Sequence, residues 1–170
     1  MGQVGIVAFT FGTPYTLRTN QFISRLAFQK ARRIDAPVYT QLDIDSSWGF
    51  QQKTTYTPEI AGHAPPTLRI CRGAVQWAKQ LSLSELWIVC ARPHLWRCKK
   101  DLEYAIHEAA ADISIHVCEE IKEESENFWY CPESAASQWY TRSRLAWLVR
   151  DSILRALCFF NYSIYRRIAR

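Results

Sequence analysis

Leu86-Trp87-Ile88-Val89-Cys90-Ala91-Arg92-Pro93-His94-Leu95-Trp96-Arg97 changes character in its middle. Residues 86–90 form an unbroken apolar run with the length of a strand covered on both faces. Pro93 then suits the first turn of a helix, where its missing N–H costs nothing and its φ is already set. The stretch predicts a strand running directly into a helix, the kind of joint at which open α/β sheets bind their ligands. His94 and Arg97 stand three apart and would share one helix face, so imidazole and guanidinium would converge on one anionic group.

Outward from this stretch, strand and helix patterns alternate. Residues 5–11 read as a first strand, broken by Gly12-Thr13-Pro14. Thr19 or Asn20 would cap the helix that follows, with Phe22, Ile23, Leu26, Ala27 and Ile34 as its apolar stripe. Residues 37–44 read as a second strand. Residues 45–66, holding Gly49, Pro58, Gly62, Pro65 and Pro66, read as a long loop, a lid, a binding segment or a disordered stretch. Thr67 would cap a helix to about residue 81; a helix over 93–110 and a strand over 113–118 follow the third strand. The last helix is expected over about 137–167, with Leu145, Leu148, Val149, Ile153, Ala156, Leu157, Phe160 and Ile164 at helical spacing. Such alternation, with right-handed crossovers, predicts a single domain over 1–170: an α/β, Rossmann-like three-layer sandwich with a mainly parallel sheet.

Composition fits that reading. A chain of 170 residues, 48% hydrophobic and 22% charged, holds enough apolar material for one core. Six scattered cysteines without a C-x-x-C pair read as buried thiols, although Cys98 beside Arg97, Lys99 and Lys100 is a candidate for a lowered pKa. The first residues lack the basic flank of a secretion signal, and Arg150, Asp151 and Arg155 interrupt the last helix too often for a bilayer span. A cytoplasmic protein is expected, with that helix as the element that would touch a membrane. The net charge of +5 is uneven, because residues 142–170 hold seven arginines against Asp151 alone. This asymmetry favours an anionic partner.

Candidate sites follow from chemistry. Arg97, with Arg92 beside it, would clamp a phosphate or carboxylate, and His94 would donate to it or carry its proton. Gly12 and Thr13 would let backbone amides approach the same anion, and Thr67 would help position it. Asp43 and Asp45 lie on one side of the second strand's end, as base, as weak metal ligands with His63, or as loop caps. No resident metal is expected; the cofactor stays open, with nicotinamide-dinucleotide and P-loop chemistry disfavoured because neither G-x-G-x-x-G nor G-x-x-x-x-G-K-[ST] occurs. The basic, aromatic last helix admits three readings: core, an interface with anionic lipid or a protein, or a nucleic-acid contact. Core is the expectation, and nucleic acid the least favoured partner.

Phe11-Gly12-Thr13 at a strand end, Pro66-Thr67-Leu68 at a helix start, His94-Leu95-Trp96-Arg97 after a strand and Trp147-Leu148-Val149-Arg150-Asp151 near the end carry a family resemblance. The chain resembles the bacterial α/β domain family typified by YdcF, SanA and ElyC, in which a glycine turn, a Thr-bearing helix start and a His-x-x-Arg segment recur in this order. Arg69 and Ile70 stand where that family carries Glu and Asn, and Asp43-Ile44-Asp45-Ser46-Ser47 where it carries Ser-Gly-Gly. The residues together lead to the expectation of an anionic small-molecule binder, of nucleotide or phosphorylated-metabolite type, with or without turnover. The alternative is a noncatalytic interaction protein that presents its last helix.

Overall fold

A computed structural model describes residues 3–45, 47, 53–59, 65–160 and 162–168. Five strands, β1 (Gln3–Ala8), β2 (Val38–Thr40), β3 (Thr54–Tyr56), β4 (Leu83–Val89) and β5 (Ser114–Val117), form one sheet in the order β3-β2-β1-β4-β5. Every neighbouring pair is parallel. The strand over 54–56 lies inside the stretch read as a loop; Thr54, Thr55 and Tyr56 are β-formers, but a run of three is too short to show a period.

The helices are α1 (Arg18–Ile34), α2 (Thr67–Gln80), α3 (Leu95–Glu108), α4 (Arg144–Phe160) and α5 (Tyr162–Ile168). The chain steps from β1 to β2 in one direction and from β3 to β4 to β5 in the other. Right-handed crossovers therefore put α1 on one face and α2 and α3 on the opposite face, giving three layers. Ile6, Val7 and Ala8 of β1 and Leu86, Ile88 and Val89 of β4 are all buried, as central strands covered on both sides must be.

Two expected helix caps do other work. Thr19 and Asn20 sit inside the first turn of α1 and tie it to the end of β1: Thr19 Oγ1 donates to the Phe11 carbonyl, Asn20 Oδ1 accepts from the Phe11 amide, and Asn20 Nδ2 donates to the Gly12 carbonyl. Thr67 is the first residue of α2, and its hydroxyl does not cap the helix.

The last helix also differs from expectation. Residues 136–141 form a 3-10 segment with non-helical Gln138, and the apolar stripe of α4 is not core: Leu145, Leu148, Val149 and Ile153 are exposed, and Leu157 is half-buried. The buried residues of α4 are Trp147 and Asp151. Trp147 packs on Phe11 with ring centroids 4.6 Å apart, so α4 roofs the carboxyl end of the sheet and turns its richer apolar side outward.

Candidate functional site

Strand order reverses beside β1, so the chain leaves β1 and β4 toward opposite faces and opens a crevice at their carboxyl ends. A cavity of about 180 Å³ lies there. Its floor is Thr10, Phe11 and Gly12 after β1, Gln41 after β2, and His94 and Arg97 after β4; Thr67 and Ile70 of α2 form one wall. Trp147, Arg150 and Leu154 of α4 close it from above, with Tyr165 of α5.

The polypeptide reaches His94 through a 3-10 turn over Arg92–His94, with Pro93 in its first turn as the sequence suggested. The imidazole is buried. It is edge-on to Trp147 at 5.4 Å and tilted against Phe11 at 6.2 Å, and its Nε2 shares a 3.2 Å hydrogen bond with the Thr67 hydroxyl. Burial, then the charges of Arg97 and Arg150, hold its pKa well below the ordinary histidine value, so the ring is neutral near pH 7.

One turn on, the Arg97 guanidinium lies 5.0 Å from the Trp147 ring centroid and 3.6 Å from Asp151 Oδ1. That second distance makes an ion pair but is too long for a hydrogen bond. Asp151 is held instead by Arg155, whose Nε donates to Oδ2 at 2.7 Å. Three buried polar atoms of cavity-lining side chains thus have no hydrogen-bond partner: His94 Nδ1, Arg97 Nε and Gln138 Nε2. Unmade hydrogen bonds in a buried site each cost roughly 1–3 kcal/mol, and their gathering on this cavity makes it the candidate site.

Arg150 adds a second cation. It stacks on Tyr140 at 3.8 Å, and among the described residues no carboxylate lies within 4 Å of it. Burial and the nearby charge of Arg97 lower its pKa from the usual arginine value. Among the described lining residues there is no aspartate or glutamate.

Gly12, Thr67, His94 and Arg97 therefore meet at one cavity, and the other predicted site residues do not. Arg92 points to solvent, outside the lining. Thr13 is buried beside the cavity, and its amide donates to Ser134 Oγ. The amides of Thr10 and Phe11 are likewise taken by Gln41 and Asn20, so side chains occupy most of the amides at the glycine turn that would have met an anion. Asp45 caps its own turn, accepting from the Ser47 amide and hydroxyl at 2.8 and 2.7 Å. Asp43 lies off the cavity, near Glu59, and burial raises its pKa. His63 falls outside the described residues, and among these no three metal-ligating side chains gather. Burial pushes the Cys98 thiol well up rather than down, overriding the nearby basic residues.

Trp147, Arg150, Gln41, Gln138 and Tyr165 belong to the lining without having been expected there. A signal existed for α4: Trp147, Arg150, Asp151 and Leu154 recur at helical spacing, forming a second, polar-containing face. No protein-family model, curated protein or solved structure matches the chain.

Proposed function

We propose that the chain binds a small phosphorylated metabolite by its phosphate group, in the cavity between the ends of β1 and β4. The observation that carries this reading is the pairing of Arg97 with Arg150 in a lining without carboxylates. Two partly desolvated guanidiniums that repel one another are relieved by a bound dianion, and charge-assisted hydrogen bonds are the strong ones. The volume sets the scale: about 180 Å³ is below the roughly 300–1,000 Å³ of pockets that enclose drug-sized ligands. A phosphate and a few further atoms fit inside, and the remainder of a nucleotide-sized ligand would lie in the mouth.

Neutral His94, tied to Thr67, supplies a hydrogen-bond partner for the ligand and is the lining group suited to proton transfer. Kinship with the YdcF, SanA and ElyC domains belongs to the same proposal, supported by the meeting of Gly12, Thr67, His94 and Arg97 at one cavity. Titration calorimetry with inorganic phosphate, ribose 5-phosphate and a nucleoside monophosphate tests the reading. Loss of one charge-assisted contact predicts about tenfold to hundredfold weaker binding in Arg150→Gln and in Arg97→Met. Undiminished affinity in both variants, or no binding of any of the three by the folded protein, would refute it.

A further inference from the structure

The outer side of α4 carries an independent feature. Leu145, Leu148, Val149, Ile153, Phe159 and Phe160 are all exposed, with Phe159 and Phe160 at 81% and 83%. At 100° per residue they fill a continuous arc that contains only Ser152 and Ala156 besides. Arg144 and Arg155 border the arc on one side; Ala146 and Leu157 border it on the other, with Arg150 beyond them on the cavity side. Arg166 and Arg167 continue the basic character on α5. A patch of six large apolar side chains on one helix is more than the single exposed leucines that need no explanation.

We infer that this face of α4 docks in the plane of an anionic lipid bilayer. Charge decides the occupant. Across α4 and α5 the only carboxylate is Asp151, which is buried and already paired with Arg155; the charged border of the patch on α4 is Arg144, which also pairs with Glu126 at 2.7 Å, and Arg155. A second copy seated antiparallel on this helix would set Arg144 and Arg155 against their own copies. Lipid phosphates would neutralise the same border while the leucine and phenylalanine side chains enter the headgroup boundary. Among the described residues no helix is long and apolar enough to cross a membrane, so the helix lies on the surface. The inner side of α4 meanwhile keeps Trp147 on the cavity, so docking leaves the ligand site between sheet and helix.

Co-sedimentation of the full chain with phosphatidylcholine vesicles, with and without phosphatidylglycerol, tests this, with analytical ultracentrifugation of the protein alone. Binding is expected only to the anionic vesicles and to weaken as salt is raised. The double change Phe159→Ser, Phe160→Ser removes exposed side chains, so it should leave the fold intact and weaken binding at least about tenfold. Arg166→Gln and Arg167→Gln should each weaken it about fivefold. A folded protein that ignores anionic vesicles overturns the inference, as does unchanged binding by the phenylalanine variant. A dimer in solution that this variant dissociates, without vesicle binding by the wild type, would give the face to a second copy and overturn it equally.

Discussion

At the end of β4, His94 and Arg97 are buried beneath Trp147 with polar atoms left unpartnered; at the end of β2, Asp43 and Asp45 stay half-buried, and Asp45 spends both carboxylate oxygens on Ser47. Both pairs are charged or titratable side chains just past a strand, on the same edge of a parallel sheet. What separates them is the roof. α4 covers the β1–β4 crevice and strips water from the β4 pair, while the β2 pair faces a polar turn. Desolvation without satisfaction is expensive, and a fold tolerates it where binding makes use of it. A satisfied local turn needs no such explanation.

The largest expected effect in this comparison comes from closing the crevice floor. Gly12 has φ +91°, and a Cβ there would lie 2.7 Å from Ser134 Oγ and 2.8 Å from Leu17 Cδ1. Gly12→Ala should cost about 2–5 kcal/mol, the sum of left-handed strain and overpacking, read from the shift in denaturant midpoint. A loss under about 1 kcal/mol would mean the turn relaxes and does not shape the floor.

Acidity offers a second probe, because two buried groups near α4 respond with opposite sign. Burial pushes Asp101, to which Tyr165 donates, up to about 6. Its folded form binds an extra proton between about pH 4 and 6, so its contribution, about 3 kcal/mol, is complete below pH 4 and lost as pH rises through 6. His94, held far below its ordinary value, does the reverse: the unfolded chain takes up a proton below about pH 6.5 that the folded chain refuses. Its contribution is lost as pH falls below 6.5. The two oppose one another between pH 4 and 6. Asp101→Asn should unmask the histidine and lose up to about 1.4 kcal/mol of stability per pH unit relative to the wild type on acidification from about pH 6 to 4. Parallel pH profiles for the two proteins would show that one of these burial effects is absent.

Thr67→Val removes the hydroxyl that pairs with His94 Nε2 and keeps its shape, leaving a second unpartnered nitrogen on that ring. A loss of about 1–3 kcal/mol is expected, with weaker phosphate binding. Stability equal to wild type would indicate that the imidazole finds another partner. The smallest effect belongs to the other strand end. Asp45→Asn keeps one acceptor for the Ser47 turn and should change stability by less than about 1 kcal/mol, with phosphate affinity untouched. Weakened phosphate binding in that variant would bring the β2 end back into the site.

Much of this architecture was legible because local rules and fold agree. The run 86–90 is apolar on both sides, as only a doubly covered strand requires, and all of it but Cys90 falls within β4. Gly12 could be picked out because Gly12-Thr13-Pro14 breaks a strand pattern; its positive φ is what the structure adds. Thr54–Tyr56 was illegible, being three residues long and fixed as β3 by pairing to β2. The cavity was half legible: His94, Arg97, Thr67 and Gly12 sit at predicted joints, whereas Trp147, Arg150 and Tyr165 reach it from elements far along the chain.

The amino-acid sequence by itself determined the alternation of strands and helices, the parallel sheet that right-handed crossovers make of it, and the placing of His94 and Arg97 just past a strand's carboxyl end. Periodicity and turn residues act over a few positions, so they can be read in one dimension. Tertiary structure alone decided which side of α4 is inside. The helix has two candidate faces, one with more leucine, valine and phenylalanine and one with Trp147, Arg150, Asp151 and Leu154, and hydrophobicity favours burying the first. The second is buried because Phe11, His94 and Arg97 wait beneath it, offering an aromatic surface to Trp147 and a charge to Asp151. Burial is a property of what lies opposite, and no residue carries its partner in its own neighbourhood of the chain.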